Sequence, residues 1–386
     1  MMVTAVRRGE SQCSVARRFG VSLHTVQRWV KRAQGHRLSR VDWHDQSPGS
    51  TQAANRTSSA METLILQTRQ HLQQESDLGE YGAAAVQRAL RQRRLRNVPS
   101  IRTIGRVFER HGLLDTRRRT RRKAPPPGWY LPDVAADRTE LDQIDLVEGL
   151  KIKDGPLVEV LNAVSLHGGL VASWPQTASV TARGVQKALI EHWRCWGVPA
   201  DAQFDNDTVF QGPHHYPDII GRVMRLCLSL EVVPVFVPPR ETGFQASIES
   251  YNGRWQAKVW ARFEHPSLAA LQTQSGNYVT ANRRRTRPRR ESAPSREAFP
   301  KNWQLDLQAH PQGPVVFIRR TDAIGQVTVL GHTFLVDAHW TGRLVRCDVL
   351  LTTEKIRFFQ LRRRAPQEQP LLNEVDYQLP QKSFHE

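Results

Sequence analysis

The chain has 386 residues, 39% of them hydrophobic and 8% aromatic, and carries a formal net charge of +18. That length predicts two to four domains, and the positive excess points to a polyanionic partner rather than a small-molecule substrate. No apolar run reaches the roughly 20 residues of a membrane span, no signal-peptide core opens the chain, and four scattered cysteines (Cys13, Cys195, Cys227, Cys347) fit neither a disulfide framework nor a zinc spacing, so a cytoplasmic protein with no membrane partner is expected.

The charge is uneven. Residues 1–123 hold 25 basic and 9 acidic side chains, residues 124–270 hold 12 and 17, and residues 271–386 hold 18 and 11. Two basic flanks around an acidic middle suggest a gripped polyanion and a cation-binding centre. Residues 4–34 read as a helix-turn-helix within a domain spanning 1–36. Val15, Ala16, Phe19, Val21, Val26 and Trp29 form its apolar set, Gly20 supplies the positive φ of the turn, and Ser22 caps the second helix. That predicts Ser22, His24, Thr25 and Arg28 on the exposed first turns of a recognition helix, as DNA contacts.

Residues 37–59 are polar and read as a linker. A second helical unit, 60–116, comes next as another helix-turn-helix or a winged unit: Met61–Gln74, a helix with Ala85, Val86, Ala89 and Leu90 on one face, and a helix through Ile101, Ile104, Val107 and Phe108, with Ser100 as N-cap and Gly112 after its end. A basic, proline-rich linker is expected over 117–131. Its Arg117, Arg118, Arg119, Arg121, Arg122 and Lys123 cannot pack and are expected to track phosphates.

From 132 to 270 the pattern changes to α/β. Strands are predicted at Glu140–Val147, Leu157–Val164, Gly169–Trp174, Ala202–Phe204 and Val232–Val237, with helices at Ala182–Trp196, Ile219–Leu230 and Ser247–Phe263. The order β-β-β-α-β-α-β-α describes a ribonuclease H-like core. Three acids fall at telling places: Asp145 mid-strand, Asp205 at the carboxyl end of a strand, and Glu249 in the first turn of a helix. Oxygen-only ligands suit Mg²⁺, or Mn²⁺, and not zinc. Asn252 lies one turn after Glu249 on the same helix face and is expected to orient a ligand or a phosphate. Arg240 and Arg254 flank the expected site as DNA contacts. Asp142 competes with Asp145 for the first position, on the opposite strand face; His214 and His215 read as loop histidines.

At these residues the chain resembles the catalytic core of DDE transposases and integrases of the retroviral-integrase superfamily. Gln-Ile-Asp-Leu around Asp145 is similar to that family's first-strand motif. Phe204–Phe210 resembles Asp-Asn-Gly-Thr-x-Phe, and Val237-Pro238-Pro239 with Ile248–Gly253 resembles its Pro-Pro loop and Glu-x-x-Asn helix. The resemblance covers about 130–270. It implies a triad of Asp145, Asp205 and Glu249 that is both catalytic and metal-binding, two Mg²⁺ ions, and cleavage and joining of double-stranded DNA, at element ends and in a target, by a homo-multimer on DNA in the cytoplasm of a bacterium. The flanks fit insertion-sequence transposases with N-terminal helix-turn-helix units. Two departures stand out: Asp207 replaces a glycine, and the spacing from Asp205 to Glu249 is long, fitting an insertion around Gln211–Asp218. An inactive DNA-binding regulator and a ribonuclease H-like nuclease are the competing readings.

After 270 a basic linker is expected over 271–311, with Arg283–Arg290 as an extended arm along a duplex. Residues 312–365 alternate as five short strands and predict a small all-β, SH3-like barrel, then a loosely ordered tail over 366–386.

Overall fold

The computed structural model describes residues 1–45, 57–114, 127–213, 216–241 and 243–385. It divides into two compact units, Met1–Glu62 and Thr63–Glu386. In the first, three short helices, α1 (Met2–Arg7), α2 (Gln12–Phe19) and α3 (Leu23–Ala33), close over Ala5, Val15, Ala16 and Val26. Ser11 starts α2 by accepting from the Ser14 N–H, and Gly20, at φ 65°, ends it in the left-handed region that favours glycine. Part of the expected linker is built in: Val41 is buried and Trp43 lies against Trp29, with ring centroids 5.7 Å apart.

The second unit takes in α4 (Ser59–Glu75) from Thr63 on, then α5 (Ala83–Gln92) and α6 (Ile101–Arg110), with Ile65, Val86, Leu90, Ile104, Val107 and Phe108 buried. The basic run Arg117–Lys123 lies outside the described residues, as do His214 and His215. The end of the expected linker is core instead. Trp129, Tyr130 and Leu131 are buried ahead of a one-turn helix, α7 (Pro132–Ala135), because three consecutive large apolar groups gain more from burial than a tether needs.

The α/β region runs β1 (Leu141–Lys151), β2 (Leu157–Ser165), β3 (Val171–Thr177), α8 (Ala182–Trp196), β4 (Asp201–Phe204), a one-turn α9 (Thr208–Gln211), α10 (Arg222–Ser229), β5 (Val233–Phe236) and α11 (Ala246–Trp255). β1 to β3 form an antiparallel meander, and β4 and β5 add parallel to β1, which gives the order β3-β2-β1-β4-β5. This is the α/β core predicted from the pattern. α8 and α10 cover one face over Ile144, Leu161, Ala202 and Phe204. α11 continues through a π turn at Gln256–Trp260 and covers the other face over Val147, Val158 and Val160.

Three expectations for the C-terminal third are corrected. The extended arginine arm is a helix, α12 (Leu268–Glu291), so the core does not stop at 270. Its buried stripe is Leu271, Ser275, Tyr278, Val279 and Asn282; small polar members hide the helical period. Three of its six arginines bond to other parts of the fold. Arg283 Nε donates to the Val171 carbonyl at 2.7 Å, Arg289 to the Leu166 and His167 carbonyls, and Arg285 pairs with Glu80. The barrel is not a separate body. β6 (Pro314–Arg320), β9 (Leu344–Leu350), β10 (Lys355–Gln360) and β11 (Leu371–Asp376) continue the core sheet, because β6 pairs parallel to β5 through Val235↔Val316 and Phe236↔Phe317. The hairpin of β7 (Gln326–Val329) and β8 (His332–Leu335) packs beside it. The tail is ordered too: β11 pairs β10, and Tyr377 and Leu379 are buried. Among the described residues no helix is long and apolar enough to cross a membrane.

Candidate active site

Strand register brings the first two acids together. β1 and β4 pair as Leu141↔Asp201, Asp142↔Ala202 and Gln143↔Gln203, on strands about 4.8 Å apart; that offset of sixty, carried forward, leads Asp145 of β1 toward Asp205, the residue just past the end of β4. Asp145 also faces Asn162 across the β1–β2 ladder. Asn252 of α11 closes the group: its Nδ2 donates to Asp145 Oδ2 at 2.8 Å, and its Oδ1 accepts from Asn162 Nδ2 at 2.8 Å. Asn252, expected to orient a ligand or a phosphate, holds Asp145 in this structure. Glu249, three residues earlier in α11, is close enough for its charge to raise the Asp145 carboxyl.

α11 is fixed by residues that sequence reasoning missed. Gln143, two positions before Asp145 and on the same strand face, accepts from the Ile248 N–H at 3.1 Å, satisfying a helix N-terminus with no intrahelical partner. Its Nε2 donates to Gln203 Oε1 and to the Phe244 carbonyl, and the buried Tyr130 hydroxyl donates to the same Gln203 oxygen at 2.8 Å. Strand alternation was the available signal for Gln143. Arg319 of β6 had none. It donates to Asn206 Oδ1 at 3.1 Å and to the Val237 carbonyl at 3.3 Å, bracing the loop after Asp205, while burial pushes its guanidinium down to about 10.

Asp207 acts as the N-cap of α9: its Oδ1 accepts from the Val209 N–H at 2.8 Å, and its own N–H donates to Asp205 Oδ1 at 3.0 Å. An aspartate at the glycine position is thus locally stable, although its charge adds to the negative potential on Asp205. Burial raises the Asp205 carboxyl above the usual range; the Asp207 N–H opposes that and the Asp207 carboxylate adds to it. Asp145 is pushed up to about 7, first by burial, then by the charge of Asp205 and, further down, of Glu249. Asp142 is a different case. It points to the opposite face, is held by Arg296 and Trp193, and takes no part in this cluster.

The donors are all oxygen, and two neighbouring carboxylates with their charge suppressed by burial fit a hard divalent cation. Among the described residues, however, no group of three His, Cys, Asp or Glu side chains could hold one ion together. Glu249 lies near the pair without completing it. Arg240 and Arg254 are exposed, after the Pro-Pro loop and on α11. In the first unit, Ser22 Oγ accepts from the Thr25 N–H at 3.1 Å, His24 is exposed, and Arg28 pairs with Asp45 at 3.0 Å between exposed side chains, so that pair is readily exchanged for another anion.

Neutralising one carboxylate relieves this repulsion. Asp145→Asn is expected to raise Tm by about 2–5 °C in chelator-containing buffer. A group whose folded pKa is raised contributes stability present below about pH 4 and lost as pH rises through about 7. The gain should therefore be seen at pH 8 and vanish at pH 4, and an unchanged Tm at pH 8 would remove the electrostatic account of the cluster.

Residues 1–41 match a homeodomain-like domain family model. No curated protein matches the chain. Solved structures similar to it include the catalytic core domain of BIV integrase, 20% identical with a TM-score of 0.28 over 35% of this chain and 80% of that one. A simian T-cell lymphotropic virus intasome in complex with the PP2A regulatory subunit B56 gamma is 14% identical, with a TM-score of 0.32 over 72% and 88%. The catalytic core domain of HTLV-2 integrase in complex with magnesium is 16% identical, with a TM-score of 0.27 over 38% and 85%. At these scores the likeness adds nothing to the fold, which rests on the strand order and sense alone.

Proposed function

We propose that the chain is a DNA transposase, a polynucleotidyl transferase that cuts a mobile element's 3′ ends and joins them to target DNA through Asp145, Asp205 and Glu249. The observation that carries the reading is the β1–β4 register, which leads Asp145 and Asp205 to neighbouring positions close enough for the Asp205 charge to act on Asp145, with Glu249 on a helix held by Gln143 and Asn252. In the first step water attacks the phosphorus at the element end. The P–O3′ bond breaks, leaving a 3′-hydroxyl and a 5′-phosphate on the two fragments. In the second step that 3′-hydroxyl attacks a target phosphorus, a new P–O bond forms, and the target's own O3′ leaves as a hydroxyl. No covalent enzyme intermediate is needed.

Asp145 and Asp205 are the residues that would hold Mg²⁺, with Glu249 as the third ligand. Two such ions, when bound, stabilise the attacking and leaving oxygens of an in-line displacement. Asn252 keeps Asp145 in its rotamer, and Arg319 with Asn206 keeps the Asp205 loop in place. The homeodomain-like first unit supplies sequence recognition, and Arg240 and Arg254 steady the DNA near the site. Two ends must be joined, so a homo-multimer on paired DNA ends is the working form.

A DNA binder without chemistry is the second reading. It is favoured by the lack, among the described residues, of a complete three-ligand group. One assay separates the readings: the protein is mixed with a labelled element-end duplex, supercoiled plasmid and Mg²⁺ or Mn²⁺. Label joined to plasmid supports transposition. Cutting without joining supports a nuclease, and retention of the duplex with neither leaves only the binder.

A further inference from the structure

One seven-residue frame occurs twice in the chain. Ser22-Leu23-His24-Thr25-Val26-Gln27-Arg28 opens α3, and Ser100-Ile101-Arg102-Thr103-Ile104-Gly105-Arg106 opens α6. The two copies share their geometry. Ser22 and Ser100 are N-caps at φ −67°, ψ 148° and φ −65°, ψ 157°. Each caps the N–H of the threonine three residues on, at 3.1 Å, and each Oγ bonds that threonine's Oγ1, at 2.8 Å and 2.9 Å. Val26 and Ile104 are fully buried as the anchors of their helices. Leu23 and Ile101, the residues after the two caps, are both exposed, at 39% and 50%.

We infer that α6 is a second DNA-reading helix, offering Ile101, Arg102 and Arg106 to the base edges of a major-groove segment distinct from the one read by α3. The chemistry fits that occupant. An exposed arginine gives a bidentate pair of donors for guanine O6 and N7, and an exposed aliphatic group suits the thymine methyl. Arg102 and Arg106 are exposed with no ion-pair partner among the described residues. The connection before the helix, Arg93–Ser100, together with the end of α5 carries Arg91, Arg93, Arg94 and Arg96, all exposed, where phosphates flanking the groove would lie. The frame around α3 belongs to the homeodomain-like match, which α6 lies outside. The copies differ at the reading position, His24 in one and Arg102 in the other, so they read different base sequences. The recognised DNA therefore contains two independent sequence blocks.

This inference rests on the chain being a DNA binder, not on its chemistry, so the test is run with the full-length protein in chelator and reads binding alone. A duplex pool with a randomised centre about three helical turns long is selected against wild type, Arg102→Ala, Arg102→Lys and His24→Ala. Wild type should return two blocks. Arg102→Ala should flatten one block and weaken binding to the wild-type consensus about ten- to hundredfold. His24→Ala should flatten only the other. Arg102→Lys keeps the charge and the fold, and should lose the same block while preserving the salt dependence. A single block from wild type, both blocks intact from Arg102→Ala, or full sequence preference in Arg102→Lys would each overturn the assignment. Loss of joining in the strand-transfer assay leaves it untouched.

Discussion

Asp205→Asn is expected to lower strand joining by at least ~10³-fold while duplex affinity stays at the wild-type value. Asparagine is nearly isosteric, and its Oδ1 can still accept from the Asp207 N–H, which in the wild type donates to Asp205 Oδ1 at 3.0 Å. The loop and the α9 cap should therefore survive. The charge alone is removed. Asp145 would lose the neighbour whose carboxylate helps to hold it near pH 7, and a divalent cation would lose one of its two adjacent ligands. The measurement is joining of a labelled 3′ end in Mg²⁺, beside a binding isotherm in chelator. Joining close to wild type would separate Asp205 from the chemistry and take the metal assignment with it.

The second large effect lies on the other face of the same strand. Arg296→Ala is expected to cost about 3–5 kcal/mol of folding stability, read by urea denaturation. Arg296 makes two 2.8 Å bonds to the Asp142 carboxylate, which is almost fully buried, and a third to the Gly197 carbonyl at 3.0 Å. Trp193 Nε1 donates to the same carboxylate at 3.0 Å. Burial alone would raise the Asp142 carboxyl; Arg296 more than offsets this, and the carboxyl lies below its usual range. Deleting the guanidinium leaves a buried charge with one partner. Arg296→Ala combined with Asp142→Asn should recover part of the loss, since neither charge then remains.

The same cluster also contributes to the acid side of the stability curve, with a sign opposite to that of Asp145. Asp142, with its lowered pKa, contributes stability present above about pH 4 and lost as pH falls below it. Burial lowers His192 to about 4, so it is neutral in the fold; the unfolded chain binds the extra proton first, and stability falls as pH drops from about 6.5 toward 4. Both effects have one sign. Because Asp142 and Asp145 point to opposite faces, Asp142→Asn should weaken the fold and leave joining per folded molecule unchanged.

How far the sequence could be read depends on where each constraint lies. Gly20, Ser22 and Ser100 declare helix ends through local backbone chemistry, and α8 was legible to the residue because its apolar period is clean and Gly197 stops it. α12 was illegible because Ser275 and Asn282 occupy its buried stripe beside a run of arginines that would ordinarily stay in water. The alternating strands after 312 were visible, but the partner of β6 was not, since choice of a sheet neighbour is a property of the packed chain. In the candidate site, strand alternation separated Asp142 from Asp145. The adjacency of Asp145 and Asp205 needed the sheet register, and the support from Arg319 arrives from 113 residues away.

The β5–β6 junction limits how this protein could be divided or recombined. Phe236 and Phe317 stack across it at 5.2 Å, and Val315, Cys347 and Val349 share one apolar interior with Phe204 and Met224. A fragment ending at residue 270 would leave β5 with a bare hydrogen-bonding rim and an uncovered aromatic ring, an invitation to self-association. The C-terminal strands are therefore not an exchangeable cassette. Lineages that trade modules can swap the N-terminal helices, whose apolar cores are drawn from residues 2–41 alone, more cheaply than the strands beyond residue 313.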